Sequence, residues 1–214
     1  VSIHGETIIV GAELESGTAT GVNGNQSSNG NYSSGAAYVF VRNGTSWSQQ
    51  AYLKASNTGD GDQFGCSVAL SGETAVIGAF LEGSAATGVN GNQSDNSAAL
   101  SGAAYIFVRS GTTWSQQAYL KASNTELGDF FGRSVAISGD TVVVGARNEN
   151  GGATGVNGDG SDNSIPEAGA AYVFVRTGLN WSQQAYLKAS RNDRGNNFGT
   201  AVAVAGETIV IGAG

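Results

Sequence analysis

Apolar and polar residues alternate in short runs along this chain. Between Ala103 and Arg109, Tyr105, Phe107 and Arg109 fall on one side, and Ala104, Ile106 and Val108 on the other. A period of two over so few residues describes a β-strand, because successive side chains of a strand point to opposite faces. Three neighbouring runs have strand length: Phe64 to Ser71, Thr74 to Ala79 (rich in β-branched residues), and the more polar Trp114 to Ser123. No stretch carries the apolar stripe of a helix. Gly72-Glu73 and Ser110-Gly111-Thr112-Thr113 are hairpin-sized turns, and Asn124 to Asp129 is a slightly longer link. Between the second and third strands lies one long loop, Phe80 to Ser101, poor in large apolar residues. Loops of that length inside a compact domain are uncommon and often functional.

The same pattern recurs. WSQQAYLKAS begins at Trp47, Trp114 and Trp181, each 67 residues after the last, with no insertion or deletion. GAAY[VI]FVR begins at Gly35, Gly102 and Gly169, and VSIHGETIIVGA at Val1 returns in altered form from Val68, Val135 and Val202. A fixed period marks a repeat architecture. The predicted fold is all-β: tandem four-stranded antiparallel sheets, three repeats and an overlapping partial one. The divisions expected are 1–61 (first strand truncated), 62–128, 129–195 and 196–214, the last holding two strands. Sheets apolar on both faces need neighbours on both sides. A propeller blade meets that need, and a solenoid is the competing solution.

Composition narrows the function classes. The net charge is −7, with ten Lys and Arg, which excludes a counterion-displacing nucleic-acid binder. No apolar run is long enough to cross a bilayer as a helix. The 34 glycines read as turn punctuation between strands in register. Cys66 is the only cysteine, with Arg133 and Thr200 at its equivalent positions, so a disulfide framework within the chain is excluded. The first residue, Val1, lies in a predicted strand, which suggests a mature or excerpted piece.

Phe64-Gly65, Phe131-Gly132 and Phe198-Gly199 each precede a strand, and Gly11-Ala12, Gly78-Ala79, Gly145-Ala146 and Gly212-Ala213 each end the following one. This spacing resembles the FG-GAP repeat, the blade of the integrin α-subunit propeller and of bacterial surface proteins. Glu13, Phe80, Arg147 and Gly214 replace the proline of that motif. The resemblance implies propeller blades, commonly seven to a ring, and an extracellular or cell-surface setting. Three blades do not close a ring, so the chain is expected to belong to a longer one or to cooperate with other copies. Residues 202–214 repeat the phase of residues 1–13, so that one subunit's last strand pair could complete or abut the start of the next. Head-to-tail contacts that do not close build filaments.

The long loop offers candidate chemistry. Its copies place Asn23, Asn25, Ser27 and Ser28; Asn90, Asn92, Ser94 and Asp95; and Asn157, Asp159, Ser161 and Asp162, with Glu15, Glu82 and Glu149 near its start. Alternating oxygen-bearing side chains in a glycine-rich loop suit Ca²⁺. Asn157, Asp159, Ser161, Asp162 and Glu149 are the expected ligands of the third loop, and Asn90, Asn92, Asp95 and Glu82 those of the second. Carboxylate count predicts affinity in the order third, second, first. The Asp-x-Asp-x-Asp-Gly-x-x-Asp calcium motif of the family is absent, and the competing reading is plain Asn-Gly and Asp-Gly turns. Asp60-Gly61-Asp62 reads as a second acidic turn.

Trp47, Trp114 and Trp181 read as packing residues between strands. Lys54, Lys121 and Lys188, and Arg42, Arg109 and Arg176, recur in register, and Glu6, Glu73, Asp140 and Glu207 are their expected partners in ion pairs between blades. His4 is the only histidine and has Ser71, Ser138 and Ala205 at its equivalent positions, so no nucleophile–His–acid set forms around it. Asn-x-Ser/Thr triplets at Asn25, Asn31, Asn43, Asn92 and Asn180 offer glycan acceptors. Together these features point to an extracellular, non-enzymatic structural or adhesive repeat protein that self-associates, with glycans or surface proteins as further partners and no nucleic-acid or membrane partner. The rival is a piece of a closed propeller that recognises carbohydrate or protein, or acts as a hydrolase or lyase.

Overall fold

A computed structural model describes residues 1–214. It contains fourteen strands and no helix. The first blade comprises β1 (Ser2–His4), β2 (Thr7–Ala12), β3 (Ala36–Asn43) and β4 (Ser46–Leu53). The second comprises β5 (Ser67–Ser71), β6 (Thr74–Ala79), β7 (Ala103–Ser110) and β8 (Thr113–Leu120). The third comprises β9 (Phe131–Ser138), β10 (Thr141–Ala146), β11 (Ala170–Thr177) and β12 (Asn180–Leu187), and a half-blade follows as β13 (Ala201–Ala205) and β14 (Thr208–Gly212). Within each blade the strands pair antiparallel in chain order. Each third–fourth strand pair carries a bulge at the same place, between Val39 and Phe40, Ile106 and Phe107, and Val173 and Phe174. A bulge of this kind increases local twist.

Blades pack face to face through alternating side chains. Ile9, Ala37, Val39, Ala51 and Leu53 of the first blade meet Ala75, Ile77, Tyr105, Phe107 and Trp114 of the second. Val76, Ala104, Ile106, Ala118 and Leu120 meet Val142, Val144, Tyr172, Phe174 and Trp181 in the same way. Val143, Ala171 and Val173 are then covered by Val202, Val204, Ile209 and Ile211 of the half-blade. Full burial of each such aliphatic or aromatic side chain contributes about 1.5–3 kcal/mol, so the repeat is held by its neighbours more than by itself. First strands of successive blades lie side by side (β1 with β5, β5 with β9, β9 with β13), and fourth strands make no comparable approach. The sheets therefore fan out from the first strands, as propeller blades do.

The Phe-Gly and Gly-Ala pairs make this fan possible. The Gly65 N–H donates to the Gly78 carbonyl, 2.9 Å away in its own blade, while its carbonyl lies against Gly11 of the preceding one. A methyl group on Gly11, Gly78 or Gly145 would run into the backbone of Gly65, Gly132 or Gly199 of the next blade. Gly65 itself has φ +92°, a conformation that side-chain-bearing residues avoid. Phe64, Phe131 and Phe198 each make a parallel bridge to Gly35, Gly102 and Gly169 of the blade before. The phenyl ring beside each glycine fills the seam, and those of Phe64 and Phe131 meet a Tyr and a Phe edge-on.

Three elements differ from expectation. The first strand of the second blade starts at Ser67 rather than Phe64. The fourth strand ends at Leu120 rather than Ser123, because Lys121 turns inward to a buried partner. The long loop also carries a short pairing of its own: Val22, Val89 and Val156 bridge antiparallel to Leu53, Leu120 and Leu187, the last residue of each fourth strand.

Candidate functional site

Three side-chain clusters recur at 67-residue spacing. The deepest centres on a lysine at the end of each fourth strand. Lys121 is 0% exposed, and its ammonium donates to Glu82 Oε2 at 3.0 Å and Ser101 Oγ at 2.7 Å. Tyr119 OH donates to the same carboxylate oxygen at 3.0 Å. Asn57, from the linker that ends the preceding blade, donates to Glu82 Oε1 at 2.9 Å and to the Gln93 carbonyl at 3.1 Å, and accepts from Tyr105 OH at 2.6 Å. The third blade repeats the set with Lys188, Glu149, Tyr186, Asn124 and Tyr172. In the first blade Lys54 pairs with Glu15 at 2.9 Å and with Ser34 at 2.8 Å. Burial pulls the ammonium pKa of Lys54 and Lys121 downward, against the opposing pull of the glutamates. Burial likewise raises the Tyr105 and Tyr172 phenols. A buried pair with its remaining valences filled fixes geometry more than it adds stability.

Glu82 and Glu149 therefore do not stand where the sequence grouped them. Each is 1% exposed, and both oxygens of each are committed to lysine, tyrosine and asparagine. The other expected calcium ligands serve the loop. Asn90 and Asn157, at φ +57° and +54°, accept through Oδ1 from the N–H groups of Tyr119 and Tyr186 at 2.9 Å. Asn92 and Asp159 close tight turns onto Ser94 and Ser161, and Asp95 and Asp162 onto Ser97 and Ser164. Hydrogen bonds from Ser97 and Ser161 hold the Asp95 and Asp159 carboxyls below their usual range. No group of three or more His, Cys, Asp and Glu side chains converges closely enough to share a metal ion.

The second cluster lies at the turns between third and fourth strands. Arg42, Arg109 and Arg176 pair with Glu6, Glu73 and Asp140 across the sheet of their own blade. These ion pairs lie within blades, contrary to the expectation that they join blades. The reason is register: the acidic residue ends the turn before the second strand, directly beside the end of the third. The link between blades comes from the free arginine nitrogen and the tryptophan. Arg109 Nη1 donates to Thr7 Oγ1 and Gln50 Oε1 of the preceding blade, both at 3.1 Å, and Trp114 Nε1 donates to the same Gln50 oxygen at 2.9 Å. Arg176 and Trp181 repeat this onto Thr74 and Gln117. Each guanidinium also sits over its tryptophan, at 5.3 Å for Arg109 and 5.2 Å for Arg176. Trp114 and Trp181 are 2% and 6% exposed, whereas Trp47, with no blade in front of it, is 44% exposed.

The third cluster is the acidic turn. Asp62 and Asp129 are buried at the linkers between blades and accept from the Gly59 and Glu126 N–H groups at 2.7 and 2.8 Å. Burial raises their carboxyls to about 6 and about 7. His4 lines an open groove with Glu73, Arg109, Asp140 and Arg176, whose charges are already paired.

A family model described as FG-GAP repeat matches residues 47–107, 114–174 and 181–214. Its unit starts at the tryptophan of one fourth strand and runs through the Phe-Gly and Gly-Ala pairs of the next blade, so it spans the seam between blades. No curated protein matches the chain.

Proposed function

The chain belongs to the FG-GAP repeat family, and from that premise we propose that it is an extracellular structural protein, non-catalytic and self-associating. One observation carries the reading. In the second and third blades the ionisable and hydroxyl-bearing groups that a catalyst would use are the same and are consumed by one another, with Asn57 and Asn124 tying each set to the blade before. Glu82, Lys121, Tyr119 and Asn57 have counterparts in Glu149, Lys188, Tyr186 and Asn124, partner for partner. A catalytic site requires a constellation that its sibling blades lack, whereas a scaffold requires the same contacts at every step. FG-GAP repeats are typically extracellular, and no helix here is long and apolar enough to cross a membrane.

Exposed apolar residues on the end blades support the self-association reading. Val1, Ile3, Val10 and Trp47 of the first blade and Val210 of the half-blade are all solvent-exposed apolar residues. Large exposed apolar patches mark interaction sites. Negative-stain electron microscopy of the purified protein tests the proposal. Threads or rings are the expected result, and a field of single small globules at every concentration would overturn the assembly reading.

A further inference from the structure

We infer that Lys121 and Asn57 react with one another, so that a buried isopeptide bond joins the end of the second blade's fourth strand to the linker that leaves the first blade, and that Lys188 and Asn124 form the same bond at the next seam. The inference goes beyond the scaffold reading and does not depend on it. A nucleophile, a base and an electrophile meet at each of these seams. Lys121 Nζ and Asn57 Nδ2 sit on the two oxygens of one carboxylate, the first on Glu82 Oε2 at 3.0 Å and the second on Oε1 at 2.9 Å. Lys188 and Asn124 sit on Glu149 likewise, at 2.6 and 3.0 Å. A lysine amine becomes a nucleophile when it loses its proton, and an adjacent base or a desolvated setting brings that about. Glu82 is the base, and Lys121 and Glu82 are 0% and 1% exposed. Burial pulls the Lys121 ammonium toward the neutral amine.

The amide is oriented and polarised. Asn57 Nδ2 also donates to the Gln93 carbonyl at 3.1 Å, and Asn57 Oδ1 accepts from Tyr105 OH at 2.6 Å. Two acceptors at the nitrogen and a hydroxyl at the oxygen leave the carboxamide a single orientation. Tyr105 is fully buried, and burial raises its phenol, so it remains a donor. A donor on the carbonyl oxygen stands where negative charge develops when a nucleophile adds to the carbon. Tyr172 stands on Asn124 in the same way at 2.7 Å, and the Gly160 carbonyl takes the place of Gln93. A lysine–glutamate pair kept only for its charge requires neither the carboxamide nor the phenol. The same burial holds water away from the adduct, which removes hydrolysis as a competitor.

The step balances without a co-reactant. Glu82 takes a proton from the Lys121 ammonium. Lys121 Nζ passes from the glutamate to the amide on its other oxygen and adds to Asn57 Cγ, and the carbonyl electron pair moves onto Oδ1 beneath Tyr105 OH. Both nitrogens then share one carbon, and the Glu82 carboxyl gives its proton to Nδ2 and takes one from Nζ. The Cγ–Nδ2 bond breaks, its electron pair leaves with ammonia, and the carbonyl re-forms. Ammonia then carries off the carboxyl's proton as ammonium. One C–N bond is made, one is broken, and nothing is oxidised or reduced. An amide replaces an amide, so the drive comes from holding the partners together in the fold and from escape of ammonia to solvent. The chain is its own substrate and reacts once at each seam, so no external molecule is turned over.

The test is the denatured mass of the full chain, followed by tryptic peptide mapping. Each bond removes one ammonia, about 17 Da, so two bonds leave the chain about 34 Da below its sequence mass. Trypsin does not cut at an acylated lysine, so residues 55–109, 110–133 and 177–191 are expected as one linked species, uncut at Lys121 and Lys188. A mass equal to that of the sequence overturns the proposal. A loss of ammonia with no linked peptides marks succinimide closure at Asn-Gly sites such as Asn90-Gly91 and overturns it too. Glu82→Gln should abolish the 57–121 link and keep the 124–188 link, which reports in the same molecule that the chain has folded. A Glu82→Gln chain that still closes the 57–121 link overturns the role given to the glutamate. Asn57→Ala leaves the Lys121–Glu82 pair in place and should restore one ammonia of mass. If the Asn57→Ala chain keeps the full deficit, the assignment of the bond to Asn57 falls.

Discussion

A carboxylate's neighbours decide its role here, and sequence spacing conceals them. Glu82 and Lys121 are 39 residues apart and meet only because the second strand's exit and the fourth strand's end converge. The glutamate therefore reads as a loop oxygen until the fold places it. The one available signal is that Lys54, Lys121 and Lys188 persist beside Glu15, Glu82 and Glu149 in a chain with few lysines. Removing one partner of a buried pair leaves an uncompensated charge, so Lys121→Met should cost ~3–5 kcal/mol in urea unfolding. The exposed Arg42–Glu6 pair behaves differently. Arg42→Met should leave the urea midpoint nearly unchanged. Asp129 gives a pH dependence of definite sign. Its folded pKa of about 7 exceeds the ordinary ~3.9 of an unfolded aspartate. The folded state thus binds more protons between about pH 4 and 7, and this group makes stability fall as pH rises through that window. Asp129→Asn, the residue that Asn196 already supplies at the third linker, should flatten the profile and raise the thermal midpoint above pH 7. Melting curves from acid to neutral pH check it.

At the scale of elements, strand positions and turns were legible because alternation, β-branching and glycine placement agree. The Phe-Gly and Gly-Ala pairs were legible as a motif, but their reason is a contact between blades. Gly78→Ala should lose at least the ~1–3 kcal/mol of an overpacked core, since the added methyl meets the Gly132 backbone. Gly83→Ala, where the nearest atoms are 3.8 Å away, should stay within about 0.5 kcal/mol. Chemical denaturation of both variants compares them directly. The short pairing of the long loop was not legible. One bridge per blade is too brief to show a period, and only the lone valine in each polar loop (Val22, Val89, Val156) marks it. Because the loop oxygens close their own turns and the nearby glutamates face lysines, added Ca²⁺ and added EDTA should give the same thermal midpoint. Differential scanning calorimetry measures it.

For the whole molecule, stability is a chain of nearest-neighbour seams rather than one core. Hydrogen exchange should be slowest in β6, β7, β10 and β11, which are buried between blades on both faces. It should be fast in β1 and in β13–β14, whose strands carry exposed residues. Uniform protection along the chain would contradict this gradient. The bridges from Val22, Val89 and Val156 to the ends of β4, β8 and β12 have a consequence for shape. They cap the outward rim of every blade at its inner end, where a foreign strand would otherwise start to zip on. One residue at the end of each fourth-strand edge is thereby covered, which blunts that edge against pairing with another chain.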